Sequence, residues 1–264
     1  MSLIDTHCHL NFDSYAGDRE AVIARAAQAD VTKIIVPAID RATSHEIVRL
    51  CQQYRQLYGA VGLHPNSAVY YQPGDLEWVE ALSRQPNIVA IGEIGLDYYW
   101  DKCPPAVQRL AFEAQLELAA QLRLPVIIHN RDAGEDVIAI LESWARSLPP
   151  ELRARPGVMH SFSASPALAE RALVAGFFLG FTGPITFNKA DDLRRIAAAV
   201  PLDRLLVETD GPFLTPAPHR GQRNEPAYIP YITARLAELH DTTYDEMAAI
   251  TTANAVRLFS LGES

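Results

Sequence analysis

The sequence predicts an α/β fold, a (β/α)8 barrel carried as one domain over residues 1–264, with extra C-terminal helices after the last strand. Three observations predict it. Short β-rich runs alternate eight times with longer segments whose apolar residues recur at helical spacing. Many of the runs are apolar on both faces, as in a parallel sheet covered by helices. The polar residues within them gather at their C-terminal ends, which in a barrel converge on a single mouth. A doubly wound open sheet is the competing arrangement.

In order, the runs are SLIDTH from Ser2, TKIIVPA from Thr32, YGAVGLHP from Tyr58, NIVAIGEIGLD from Asn87, LPVIIHN from Leu124, PGVMHSF from Pro156, GFFLGFTG from Gly176 and DRLLVETD from Asp203. The clearest intervening helix opens at Pro104 and Pro105, where proline suits a first turn, and ends before Pro125. Its apolar stripe reads Val107, Leu110, Ala111, Ala114, Leu118 and Leu122, and these are expected to face the sheet.

Composition narrows the function classes. Hydrophobic residues make up 48% of the chain, enough for a large core that needs no disulfide staple. Cys8, Cys51 and Cys103 are few, odd in number and scattered, which suits a reducing compartment and hence the cytoplasm. The longest apolar run, ALVAGFFLGF from Ala172, has about half the length a membrane span requires, so no membrane association is expected. The net charge of −9 excludes broad nonspecific attraction to nucleic acid, leaving room only for a local basic cleft. No linker, repeat or low-complexity tract marks a second domain, and nothing calls for an obligatory protein partner.

The polar residues carry the chemistry. His7 and His9 end the first run; strand alternation turns both to one side while Cys8 packs into the barrel wall. Glu93 lies in the fourth run, His129 and His160 end the fifth and sixth, and Asp210 ends the eighth. A single buried histidine is usually a hydrogen-bonded structural residue. The coincidence of such residues at five strand ends is what points to metal. Four histidines and two carboxylates suffice for two divalent ions, and the mixture suits Zn2+, Mn2+ or Fe2+, with Mg2+ at a carboxylate-rich position. His64 follows the third run at the same end and is assigned to substrate or to support of the ligands. His45 and His240 fall on predicted helices and read as surface residues, while His219 sits undecided in a Pro-rich loop.

These residues, read together, resemble the TatD family of metal-dependent deoxyribonucleases, within the amidohydrolase-like metal-dependent hydrolases. The resemblance rests on DTHCHL, GLHP, GEIGLDYYWD, LPVIIHNRDA, HSFSA, ETDGPFLTP and HRGQRNEPAYI, in the family's order and over nearly the whole chain. It implies a TIM-type barrel and metal-dependent phosphodiester hydrolysis, exonucleolytic on DNA, with a single-stranded or end-presenting oligonucleotide as substrate. The implied ligands are His7, His9, Glu93, His129, His160 and Asp210, the set that strand position also selects. On this pattern Glu93 bridges two divalent ions (Zn, Mg or Mn), His7 and His9 hold one with Asp210, His129 and His160 hold the other, and Asp210 is the general base. Arg131, Arg220 and Arg223 are expected to meet phosphate as a positive rim. Ser161 and Ala164 stand where the family often has Cys and Gly, Gly211 where it often has Ala, and Lys189 sits one place late. The alternative is an amidohydrolase-type hydrolase of a lactone, amide or phosphotriester, which the same ligands would serve.

Overall fold

A computed structural model describes residues 2–262. The strands are β1 (Leu3–Asp5), β2 (Val31–Pro37), β3 (Leu57–Val61), β4 (Ile88–Asp97), β5 (Val126–Arg131), β6 (Gly157–Met159), β7 (Phe178–Phe181) and β8 (Leu205–Val207). Each pairs in parallel with the next in chain order, so all eight predicted runs form strands of one sheet. The helices are α1 (Arg19–Gln28), α2 (Arg41–Gln53), α3 (Glu77–Ser83), α4 (Pro105–Leu122), α5 (Gly134–Ser147), the short α6 (Pro150–Arg153), α7 (Pro166–Val174), α8 (Asp191–Ala199), α9 (Ile229–Leu239) and α10 (Tyr244–Phe259). The last two follow β8, as expected. No helix among the described residues is long and apolar enough to cross a membrane.

The first and last strands meet without a regular ladder. Thr6 N donates to Val207 O at 3.2 Å, Asp210 N to His7 O at 2.8 Å and His9 N to Gly211 O at 2.8 Å. The fully buried Asp5 carboxylate adds two bonds across the same join, accepting from Thr209 N and Thr209 Oγ1, and a third from His7 N on its own side. Burial pushes this carboxyl up to about 7, against the pull of its hydrogen bonds from Thr209 and His7. The barrel is thereby nearly closed, and the segments carrying His7, His9 and Asp210 are tied to one another.

Inside, the period-two alternation of strands builds the barrel in layers. Ile4, Ile35, Ala60, Ala90, Ile127, Val158, Phe178 and Leu206, one from each strand, pack with Ala255, Leu258, Phe259 and Leu261 from α10 and the residues just after it. That layer is a hydrophobic floor. Two residues farther along their strands stand Gly62, Gly92, His129, His160, Gly180 and Glu208. The glycines there make room: a Cβ on Gly180 would lie 2.5 Å from the Glu208 carboxylate, and one on Gly92 2.7 Å from Ile127. The outer faces of the strands pack against the surrounding helices in a second, larger core.

Helix α4 packs its predicted stripe with a small rotation: Ala111 is buried and Val107, Ala114, Leu118 and Leu122 are partly buried against the core, but the most buried face lies to one side of the stripe. Leu110 is 54% exposed, while Gln108, Ala111, Phe112, Gln115, Leu116 and Ala119 are buried. The two glutamines replace backbone partners that the neighbouring chain segments lack. Gln108 accepts from Asp97 N and donates to Asp97 O and Cys103 O, each at 2.8 Å. Gln115 accepts from Leu63 N at 2.7 Å and donates to Leu63 O at 3.0 Å. Buried polar groups satisfied this fully are stabilising, and stranding their partners is costly. Gln108→Leu is therefore expected to lose about 2–4 kcal/mol of stability, whereas Leu110→Gln should lie within about 0.5 kcal/mol of wild type. Urea unfolding at unchanged m-value reads both.

Candidate metal centre

Glu93 enters the barrel from β4 where that strand shifts register against β5, and its backbone N–H donates to Ala38 O at 2.9 Å. Its carboxylate, 3% exposed, faces five imidazoles. Oε1 lies 2.7 Å from His129 Nδ1, 3.0 Å from His160 Nε2 and 3.7 Å from His64 Nε2. Oε2 lies 3.5 Å from His7 Nε2 and 3.7 Å from His9 Nε2. Asp210 Oδ1 stands 3.6 Å from both His7 and His9, so all six residues that strand position selected meet at one mouth. Asp210 and the neighbouring Ser161 adopt left-handed backbone conformations, with φ of 53° and 44°, which turn the chain sharply beyond β8 and β6.

The charges are strongly coupled. Burial by itself would raise the Glu93 pKa, but the charge on His160 and hydrogen bonds from His129, His160 and His7 outweigh it and hold the carboxyl well below its usual range. Burial likewise opposes charge on His129 and His160, yet their carboxylate neighbours win and raise both. At His9 and His64 the same carboxylate charge is outweighed by burial, joined by the charge of His7 and of His129 respectively, and each is pushed down to about 3. Asp210 moves the other way, with burial lifting it to about 6.

Tautomer separates His64 from the others. Its Nδ1 accepts from Asn66 N at 3.1 Å, so in the neutral ring the proton sits on Nε2. His64 thus offers a hydrogen to the cavity, in keeping with a substrate or supporting role. Donor atoms of the cluster, His64 included, gather in groups within 4.8 Å of one another: His7 with His160 and Asp210, His7 with His9 and Glu93, and Glu93 with His129 and His64. His160 thus groups with His7 and Asp210, and it also shares Glu93 Oε1 with His129, the partner the sequence suggests for it.

Two carboxylates in the site escaped the sequence reading. Asp97 Oδ2 receives His129 Nε2 at 3.1 Å and Asn66 Nδ2 at 2.9 Å. Glu208, fully buried beneath His160, accepts from Ser161 N and Thr6 Oγ1 and lies 3.7 Å from His160 Nδ1. Each shares a strand face with a residue that was selected, Asp97 with Glu93 through Gly95 and Glu208 with Asp210. That alternation was the available signal. Gly95 itself is required, since with φ of 146° its Cβ would strike His129 O at 2.0 Å.

The cluster lies in a cavity of about 1020 Å³ whose walls include Phe12, Trp100, Lys102, Arg131, Phe213 and Leu214. The sequence model of the family described as TatD related DNase matches residues 4–260. The chain is 44% identical over 259 residues to the uncharacterized metal-dependent hydrolase YabD of Bacillus subtilis, covering 98% of this chain and 99% of the relative. It is 34% identical over 265 residues to the 3'-5' ssDNA/RNA exonuclease TatD of Salmonella typhimurium, with 98% and 99% covered. Among solved structures, the TatD homolog YjjV of Escherichia coli K12 superposes with a TM-score of 0.91 at 37% identity, covering 98% of both chains.

The three arginines do not form one rim. Arg131 lines the cavity, its guanidinium 3.9 Å from the centre of the Tyr99 ring. Arg220 instead rests on Phe187 at 4.1 Å. Arg223 is turned away, gripping both oxygens of Asp18 at 2.7 and 2.8 Å beside Tyr15, so its donors are already spent on a carboxylate from the segment before α1. His219 lies between Tyr228 and Tyr231, stacked on the first at 4.3 Å and bonded to the hydroxyl of the second at 3.0 Å. The Arg223 guanidinium holds the Asp18 carboxyl down at about 2. A depressed carboxylate pKa stabilises the fold above its ordinary value of 3.8, and that contribution fades as pH falls towards 2. In Arg223→Ala the Asp18 carboxyl should titrate distinctly higher, with Arg25 as its remaining partner; carboxyl-detected NMR titration measures the change.

Proposed function

Because the chain belongs to the family of TatD-related DNases, we propose that this metal-dependent hydrolase acts as a single domain that cleaves terminal phosphodiester bonds of DNA strands around Glu93. The observation that carries this reading is the one buried carboxylate facing five imidazoles at the barrel mouth. The donor set fits divalent cations. His7 Nε2 and His9 Nε2 stand 3.3 Å apart, both within 3.7 Å of Glu93 Oε2 and at 3.6 Å from Asp210 Oδ1, a convergence of imidazole nitrogens and carboxylate oxygens that a cation would satisfy. Imidazole mixed with carboxylate suits Zn2+ or Mn2+, and the carboxylates alone suit Mg2+. His7, His9, Glu93, His129, His160 and Asp210 would hold two such ions, with Glu93 shared between them.

Bound divalent ions supply Lewis acidity, which activates water near neutral pH and offsets charge on phosphoryl oxygens. The chain's own groups do the rest. Asp210 is 15% exposed against 3% for Glu93, so it is the carboxylate that solvent reaches, and it accepts the proton of the attacking water. His64 Nε2–H donates to a phosphoryl oxygen beside Glu93. Arg131, held against Tyr99, presents its outward N–H groups to the next phosphate along the strand. Asp97 fixes the His129 ring by a hydrogen bond, and Glu208 places its carboxylate 3.7 Å from His160 Nδ1 on the side away from Glu93.

Added Mg2+, Mn2+ or Zn2+ should support shortening of end-labelled single-stranded DNA, and a chelator should abolish it. Hydrolysis of a lactone, amide or phosphotriester panel in place of DNA would overturn the reading. Replacing the two carboxylates by amides should separate their roles. Glu93→Gln should lose at least one equivalent of metal, because the charge holding two cations together is gone. Asp210→Asn should keep most of its metal while kcat falls by about 10² or more. Metal analysis and kcat on the same preparations decide it: full metal in Glu93→Gln removes the shared-ligand assignment, and an unchanged kcat in Asp210→Asn moves the base elsewhere.

A further inference from the structure

Trp100 lines the rim of the cavity and Tyr99 stands beside it, with 46% and 54% of their surface exposed, an unfavourable position for large aromatic rings. They are not loosely held. Asp97 Oδ1 accepts from Tyr99 N at 3.0 Å and Trp100 N at 3.1 Å, while its Oδ2 holds His129, so one carboxylate fixes both the aromatic rim and the metal centre. Cations accompany the rings: Arg131 lies 3.9 Å from the Tyr99 centroid and Lys102 5.5 Å from that of Trp100. Across the barrel mouth, on the segments following β1 and β8, Phe213 is 53% exposed beside Phe12, which is itself stacked on His9 at 4.5 Å. Two aromatic walls thus flank a floor of imidazoles and carboxylates, with positive charge on one wall.

We propose that Trp100, braced edge-on by Tyr99 with ring centroids 4.9 Å apart and planes at 90°, and accompanied by Arg131 and Lys102, forms a stacking ledge for an unpaired base of the substrate strand, adjacent to the phosphodiester being cleaved. A flat apolar ring beside a cation matches a nucleobase joined to a phosphate. A base inside a duplex has both faces covered by its neighbours and cannot offer one to the ledge, so the ledge selects unpaired strands and frayed ends. The inference rests on the phosphodiesterase reading and adds the part of the substrate that is recognised.

The test uses the whole protein and two strands of equal length, one natural and one with abasic residues throughout. Affinity is read by anisotropy of end-labelled phosphorothioate versions, and cleavage by the phosphodiester versions with added Mn2+. Wild type should bind the natural strand more tightly. Trp100→Ala should weaken that binding by about 5- to 100-fold and leave the abasic strand unaffected, the loss expected for one stacked base. Trp100→Phe should recover most of it. Because Trp100 is exposed, circular dichroism should show all three proteins equally folded. Equal affinity of wild type and Trp100→Ala for the natural strand, or equal losses on both strands, overturns the ledge. Failure of wild type to cleave either strand overturns the phosphodiesterase reading instead, and the binding comparison still decides the ledge.

Discussion

One carboxylate organises this molecule. Glu93 is buried among imidazoles delivered by β5 and by the segments after β1, β3 and β6, and a negative charge so far from water persists only because those rings compensate it. The dependence is mutual. His129 and His160 keep their affinity for protons in a dry interior because Glu93 is there, and His9 and His64, farther from it, do not. The surrounding architecture serves to hold this arrangement. Asp5 ties the two ends of the sheet together beneath His7 and Asp210, and the glycines of β4 and β7 clear space for the side chains opposite them.

Much of this was legible in the sequence because it follows from period and position. Parallel strands buried on both faces announce themselves as apolar runs, and the residue at the end of each run must point into the mouth. What was not legible depends on partners distant in the chain. Gln108 and Gln115 read as polar interruptions of an apolar helix, yet they are buried because they complete the hydrogen bonding of Asp97 and Leu63, which no hydrophobic pattern encodes. Arg223 reads as a free cation, and its engagement with Asp18 spans 205 positions of sequence. Asp97 and Glu208 stand four and two residues from Glu93 and Asp210 on the same faces, and period alone does not say which acid of such a pair reaches the centre and which supports an imidazole.

The charge distribution reconciles an acidic protein with a polyanionic substrate. A net charge of −9 repels nucleic acid from most of the surface, and several of the arginines are consumed in pairs with carboxylates, as Arg25, Arg171 and Arg223 are. Lys102 and Arg131 instead rest on aromatic rings at the mouth, where a ring keeps the charge in place without neutralising it. The opening thereby carries positive charge that no carboxylate among the described residues pairs with.

The hydrophobic floor has a consequence for traffic. With Leu258 and Phe259 of α10 packed among one apolar side chain from every strand, the barrel is a cup closed at its base. A polymer cannot be threaded through a cup. Whatever is cut at its bottom must leave by the opening through which it arrived, past the remainder of the same strand. Such a vessel favours removal of one small piece at a time, with a pause for emptying between bites, and makes egress of the product as much a property of the rim as entry of the substrate.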